Sequence, residues 1–355
     1  MTDLLNKPFF FIVGRPRSGT TLLRMLFDAN PEVIIPPECQ FIINLYSKYG
    51  KIKEWNKDLL NTFYIDLQQQ WLFKTWNIDQ NKLKDNLLNC SGKISYNEIC
   101  KIVYLNYQSI FKKEKIKFFG DKNPGYTIYT KQLTKIFPNS KFIHIIRDYR
   151  DHFVSIKNVD FELPNVSLVV FKWRLYVKKF RKMMKKYPEN YIEIRYEDLV
   201  TNPEKEMKKL CSFTGVPFLP EIFEFHTKKG ETEKIYPKKL FNKFHSSLFK
   251  KINPDKIGIY KNQLSTKQIK IADATAGKYA EIAGYKRENK RSNLWIKTTA
   301  LPGIMLALTL HYLTKIVNIF PYKLREAILS KWPLMIAKFY LRIFDPKKLT
   351  GLTDI

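Results

Sequence analysis

This chain has few cysteines, and few acidic residues for the number of basic ones. Among 355 residues, 33 Asp and Glu stand against 62 Lys and Arg, a formal net charge of +29 at pH 7. A field of that sign attracts polyanions: a phosphorylated cofactor, anionic lipid or nucleic acid. The excess runs along the chain and is not confined to one basic tail, so most of it reads as solvated surface from a Lys-, Ile- and Asn-favouring composition. No recognised nucleic-acid module accompanies it, and nucleic acid is not an expected partner. The four cysteines, Cys39, Cys90, Cys100 and Cys211, form no C-x-x-C pair, and the five histidines form no ligand-spaced pair. That argues for reduced thiols and gives no support for a metal site. Residues 9–13 are apolar but lead straight into a glycine-bracketed turn, unlike the charged-then-apolar layout of a signal peptide. The expectation is a cytoplasmic protein. Internal repeats and low-complexity linkers are also lacking.

What is present is an alternation of strands and helices. Continuous apolar runs at 9–13, 117–120, 141–146 and 191–195 read as strands of a parallel sheet covered on both faces. Helices are predicted at 20–28, 126–136, 149–157, 168–186 and 203–213. Asn202-Pro203-Glu204 gives the last of these a capping residue, a proline at its first position and an acid in its first turn. The pattern is α/β, doubly wound and mainly parallel, with ligand sites expected at the carboxyl ends of strands. A helical insert at about 44–115 interrupts it, and its aromatics, Trp55, Trp71 and Trp76 among them, read as its own core. Residues 1–290 are taken as the main domain and 291–355 as a C-terminal helical extension.

The first strand ends in Gly14-Arg15-Pro16-Arg17-Ser18-Gly19-Thr20-Thr21. Such a turn aims several backbone N–H groups at one point, at the positive end of a helix dipole, and forms a P-loop-like phosphate cradle. The Gly14-x-x-x-x-Gly19 spacing is that of the nucleotide-triphosphatase P-loop, but Thr20 stands where the phosphate-reaching lysine belongs. The cation has moved into the loop, as Arg17 with Arg15 beside it.

This loop resembles the 5′-phosphosulfate loop of sulfotransferases that use 3′-phosphoadenosine-5′-phosphosulfate (PAPS). Two further stretches are similar to that family's later motifs: 141–155, a strand ending near Arg147 with Ser155 eight residues on, and 191–199 with Asn202-Pro203-Glu204 after it. Together they cover roughly residues 8–285. The Arg-containing loop and Asp121-Lys122-Asn123-Pro124 look closer to tyrosylprotein and bacterial sulfotransferases than to the small-molecule enzymes. The resemblance implies PAPS as co-substrate, no metal, and transfer of its sulfuryl group to an acceptor hydroxyl. It places Arg15, Arg17, Ser18, Gly19, Thr20 and Thr21 on the 5′-phosphate, Arg147 and Ser155 on the 3′-phosphate and Tyr196 near the adenine. Ser246 or Ser247 is a further donor; spacing does not decide between them. Arg17 and Lys122 would stabilise the leaving group. Glu38, after Val33-Ile34-Ile35-Pro36-Pro37, would be the general base, with His144 and His152 as rivals. Gln40 stands where the tyrosylprotein enzymes carry an arginine, which weighs against a tyrosine-peptide acceptor and leaves a glycan, lipid or glycolipid.

Two other functions compete. A P-loop phosphotransferase would use Asp148 on magnesium, but the missing lysine argues against it. A non-catalytic basic protein on membrane or nucleic acid would rest on charge alone. In the extension, His311, Thr314, Lys315 and Asn318 recur at i, i+3, i+4 and i+7, one narrow polar stripe on a mostly apolar helix. Residues 299–345 suit either an anionic membrane surface, at the inner membrane face, or packing on the chain itself or a second subunit as a homodimer.

Overall fold

The computed structural model of the chain describes residues 6–159, 162–228 and 251–317, and beyond them the single positions 320, 324, 328, 335, 339 and 342. The chain forms two compact units, Met1–Arg147 with Lys179–Asp255, and Asp148–Lys178 with Lys256–Ile355. The first contains a five-stranded parallel sheet built from β1 (Phe9–Gly14), β2 (Val33–Ile34), β5 (Phe118–Lys122), β6 (Lys141–Ile146) and β7 (Tyr191–Arg195). Its strand order is β2-β5-β1-β6-β7. A two-residue antiparallel ribbon, β3 (Glu54–Trp55) with β4 (Gly92–Lys93), lies in the insert.

The all-apolar strands follow from this position in the middle. Every residue of β1 is buried, as are Phe142–Ile146 of β6. Phe11 pairs in register with Asp121 on one side and Phe142 on the other. From β1 the chain crosses to β2 and β5 on one side of the sheet, and only afterwards to β6 and β7 on the other. The connections therefore diverge between β1 and β6, and the carboxyl ends at such a switch point are where open α/β sheets bind ligands. Strand β5 runs two residues further than its apolar run, because Asp121 and Lys122 continue the ladder opposite Phe11 and Ile12. The helix expected over 126–136 divides into a 3₁₀ segment, Pro124–Tyr129, and a helix, Thr130–Ile136. Thr127 Oγ1 donates to the carbonyls of Pro124 and Gly14, which holds the tighter turn against β1.

Helix Pro203–Thr214 starts at Asn202-Pro203 and stops at Gly215, whose φ of 80° is the left-handed cap that glycine adopts without cost. The insert folds as helices Phe41–Tyr49, Lys57–Gln68, Gln80–Leu88 and Tyr96–Leu105, the last opened by a Ser95/Glu98 capping box. Trp55 stacks on Tyr49 at 5.6 Å and Trp76 meets Tyr104 edge-on at 5.3 Å, so these tryptophans are the insert's core. Trp71 is not part of it. It follows the end of helix Lys57–Gln68 and stands 74% exposed.

In the second unit, Arg150 joins distant segments. Its guanidinium donates to both oxygens of Asp148 (3.0 and 2.7 Å) and lies 4.1 Å from the ring centroid of Tyr260. Asp151 accepts the backbone N–H groups of Gly258 (2.7 Å) and Tyr260 (2.9 Å). A magnesium-binding role for Asp148 finds its carboxylate already engaged bidentately.

Gly120, inside β5, marks a tightly packed point of the sheet. A Cβ there would stand 2.6 Å from both Cγ1 and Cδ1 of Ile35, and 2.9 Å from Cζ of Phe10. Gly120→Ala is therefore expected to cost about 1–3 kcal/mol through overpacking. In urea unfolding the midpoint should fall with the slope unchanged. An unaltered midpoint would mean that Ile35 moves aside freely.

Candidate active site

The turn after β1 is shaped by two glycines. A Cβ on Gly14 would lie 2.5 Å from the carbonyl oxygen of Ile145, so the chain leaves β1 flush against β6 only without a side chain. Gly19 has φ 96°, and a Cβ there would stand 2.6 Å from Cδ2 of Tyr196. Between them, Arg17 is held at φ 70°, an uncommon left-handed conformation for a residue with a side chain. Helix Thr20–Asp28 then starts from Gly19 with no side-chain cap and no acid in its first turn. Its first N–H groups and the positive end of its dipole are left to an anion. Ser18 is fully buried in this turn, and its Oγ has no hydrogen-bond partner among the described residues. Buried side-chain hydroxyls in folded proteins are seldom without a partner. Thr20 is buried and Thr21 half-buried on the first helical turn.

Three arginines belong to the same region of sequence motifs. Arg15 is 5% exposed. Burial, and then the charge of Arg147, push the Arg17 guanidinium below its ordinary pKa, so these two cations stand close enough to repel. Arg147, directly after β6, reaches the carbonyl oxygen of Arg17 at 3.4 Å through Nη1. Its guanidinium lies 4.7 Å from the ring centroid of Tyr196, the first residue of helix Tyr196–Thr201 after β7. Tyr196 thus packs on Gly19 and beside Arg147. The carboxyl ends of β1, β6 and β7 supply one cationic cradle that fits a phosphate.

A second cluster lies across β1. Lys122, the last residue of β5, pairs with Glu38 at 3.0 Å (Nζ to Oε2). The lysine side chain is buried and the carboxylate is 28% exposed. The segment that carries Glu38 is gripped on both sides. Arg24 Nε donates to the Ile35 carbonyl (3.0 Å), while the Ile35 N–H donates to Asp28 Oδ1 (3.1 Å). Arg24 and Asp28 pair one helical turn apart at 3.4 Å, and Tyr107, Ser109 and Lys113, the last 3.2 Å from Asp28 Oδ1, join the network. Past Glu38, Asn123 Nδ2 donates to the Cys39 carbonyl (3.2 Å). Arg24, Asp28 and Asn123 were not among the candidates read from the sequence. The signal was the i, i+4 charge pair inside an otherwise apolar helix.

Asp121 is buried between these groups. It accepts from the Tyr104 hydroxyl and, with both oxygens at 2.8 Å, from Asn123 Nδ2. Burial pushes its carboxyl up to about 7, against the pull of Tyr104, Asn123 and Lys122 and with a further push from Glu38. His144 is a core residue: its Nδ1 lies 2.8 Å from Glu193 and its ring stacks on Phe180 at 4.5 Å. Burial raises the Glu193 carboxyl, but hydrogen bonds and charge from His144 and Arg181 outweigh it and hold the group below its ordinary value. His152 and Ser155 lie on helix Tyr149–Ile156 of the second unit, the first fully buried and the second half-buried. Ser246 and Ser247 fall outside the described residues. All four cysteines are buried thiols, and the described residues contain no cluster of three His, Cys, Asp or Glu arranged for a metal.

Comparison with known proteins places this geometry. The profile of the sulfotransferase family matches residues 8–220. Protein-tyrosine sulfotransferase A of Caenorhabditis elegans is 29% identical over 233 residues, 60% of this chain and 51% of the relative. Protein-tyrosine sulfotransferase 1 of Danio rerio is 26% identical over 221 residues, 60% of this chain and 54% of the relative. A shorter match, 28% over 141 residues, covers 33% of this chain and 34% of omega-hydroxy-beta-dihydromenaquinone-9 sulfotransferase Stf3 of Mycobacterium tuberculosis. The chain spans about half the length of the tyrosine-directed relatives named here. Among solved structures, the sulfotransferase domain from the Synechococcus PCC 7002 olefin synthase aligns with a TM-score of 0.50 at 19% identity, over 76% of this chain and 94% of that one. That likeness is one of fold.

The Asp121 carboxyl yields a pH signature. Its folded pKa, about 7, lies above that of an unfolded aspartate, so the native state keeps a proton that the unfolded chain releases. Its stabilising contribution is full in acid and is lost as pH rises through about 7. Thermal unfolding of the wild type should therefore lose stability between about pH 5 and about pH 8 relative to Asp121→Asn, which cannot ionise. Parallel profiles for the two proteins would show that Asp121 is already ionised at the lower pH.

Proposed function

Because this chain belongs to the sulfotransferase family, we propose that it moves the sulfuryl group of PAPS to an acceptor hydroxyl. The observation that carries the proposal is the meeting, at the carboxyl end of one sheet, of an uncapped helix N-terminus ringed by arginines with the Lys122–Glu38 pair. The cradle fits the nucleotide. Ser18 Oγ and the N–H groups of Gly19, Thr20 and Thr21 would hold the 5′-phosphate, with Arg15 and Arg17 supplying charge. Arg147, whose fork suits phosphate geometry, would hold the 3′-phosphate, and Tyr196 would border the adenine. Ser246 or Ser247 remains the candidate for a late donor.

PAPS supplies an electron-poor sulfuryl group bonded to a good leaving oxygen. Glu38 accepts the acceptor's hydroxyl proton as that oxygen bonds to sulfur. Arg17 and Lys122 stabilise the electron pair left on the phosphate oxygen as the old S–O bond breaks. The 3.0 Å pairing sets base and leaving-group cation within one hydrogen bond of each other. The Arg24–Asp28 and Asn123 grips on Ile35 and Cys39 hold Glu38 in that relation.

For the acceptor, the named relatives point two ways, to protein tyrosine and to a hydroxylated menaquinone. Gln40 tips the reading. A neutral amide offers an acidic tyrosine peptide less than the arginine of the tyrosylprotein enzymes would, so the acceptor is taken as a hydroxyl on a lipid, glycan or glycolipid.

Two measurements test these roles. Glu38→Gln should bind the nucleotide normally yet lose about 10²–10³ in transfer rate, and Arg17→Ala should lose at least as much. Near-normal turnover of Glu38→Gln would overturn the base assignment. Arg147→Ala should weaken binding of 3′-phosphoadenosine 5′-phosphate by roughly 1.5–3 kcal/mol while leaving the 3′-dephospho nucleotide almost unchanged. Equal weakening of both in calorimetric titration would make Arg147 a structural residue.

A further inference from the structure

Helix Leu294–Val317 of the second unit turns its apolar side outward. Ile296, Ala300, Gly303, Ala307 and Val317 form its buried face. That face approaches its neighbours closely: a Cβ on Gly303 would stand 2.2 Å from Ser167 Oγ and 2.3 Å from Asn165 Oδ1. Small residues at 300, 303 and 307 permit the approach, which also brings helix Thr266–Ala276 against it. Of the polar stripe, Lys315 is exposed and Asn318 lies outside the described residues. His311 and Thr314 are half-buried, and Thr314 Oγ1 donates back to the Leu310 carbonyl at 2.8 Å. Opposite them stand Leu294, Leu301, Met305, Tyr312 and Ile316, each 50% exposed or more. Their spacing, i, i+7, i+11, i+18 and i+22, puts them on one line along the helix.

We infer that this outward face is a docking surface for an anionic lipid bilayer, with the helix lying in the plane of the membrane surface. Charge decides the occupant. Residues 294–317 contain no Asp or Glu, and Lys297 and Lys315 are exposed along the helix. At the amino end, Lys267 sits 4.5 Å from the ring centroid of Trp295, which is 56% exposed. Aromatic and basic side chains around a linear apolar stripe are what an interfacial helix presents to anionic headgroups. A second copy of the chain would bring the same lysines with no helix carboxylate to meet them. Spanning the bilayer is disfavoured because the face of Ile296, Ala300, Gly303, Ala307 and Val317 is covered by protein. The described positions beyond the helix continue the character, with Leu324, Met335 and Phe339 exposed. The inference stands apart from the reaction, since it uses no residue of the phosphate cradle or of the Lys122–Glu38 pair.

The test is co-sedimentation of the whole chain with vesicles, either phosphatidylcholine alone or an equimolar mixture with phosphatidylglycerol. The wild type should pellet with the anionic vesicles, weakly or not at all with the neutral ones, and less as salt is raised. Met305→Glu and Ile316→Glu, both at exposed positions, should lower the partition about tenfold or more without moving the thermal midpoint. Binding by these variants equal to wild type would overturn the inference, as would a wild type that ignores anionic vesicles. If the wild type instead sediments as a dimer that Met305→Glu dissociates, with no vesicle binding, the face belongs to a second copy.

Discussion

The first unit depends on how closely the turn after β1 packs against what surrounds it. Gly14 lies against the backbone of β6 and Gly19 against the ring of Tyr196, with no room for a side chain at either point. Between those two contacts Arg17 takes its left-handed conformation, and helix Thr20–Asp28 starts uncapped. Every other feature of the cradle follows. Tyr196 is in reach because β7 lies next to β6, and Arg147 is in reach because β6 lies next to β1. A phosphate-binding turn is cheap in local sequence but demands a particular sheet order to acquire its remote partners.

The placement of Glu38 shows a different use of energy. Arg24 and Asp28 are almost wholly buried, and removing two charges from water costs several kcal/mol per ion before their attraction is counted. An apolar pair would serve stability as well or better. What it would not do is hold both the N–H and the carbonyl of Ile35, three residues before the carboxylate. The buried pair therefore reads as a device for position, and it sits on the helix that the phosphate turn begins. The turn and the segment that carries Glu38 are thereby coupled through one rigid element, which suits the proposed reaction, one that would depend on alignment more than on covalent chemistry.

The second unit follows another logic. Arg150 and Asp151 spend their hydrogen bonds on fastening segments far apart in sequence, and Asp148 is engaged by Arg150. Helix Leu294–Val317 buries Ala300, Gly303 and Ala307 between Ile296 and Val317, and leaves Leu294, Leu301, Met305, Tyr312 and Ile316 exposed. Such an arrangement is stable only if the small face packs closely, and Gly303 against Asn165 and Ser167 does so.

Local signals carried much of this in the sequence itself. Unbroken apolar runs announced a sheet covered on both faces, Asn202-Pro203 opened its helix where expected, and the glycine-bracketed turn was legible as a tight strand-to-helix turn because its geometry is set within eight residues. The polar stripe at 311–315 was visible too, but not the side on which it would lie. Trp71 and Trp55 looked alike, and only the fold put one outside and one in the core. The ion pair of Lys122 with Glu38, the grip of Arg24 and Asp28 on Ile35, and the burial that lifts Asp121 join residues separated by up to 84 positions. Sequence determines a strand, a turn or a cap because these are settled by neighbours along the chain. Which charges meet, and how far from water they meet, is settled by strand order and packing, and those exist only once the chain has folded.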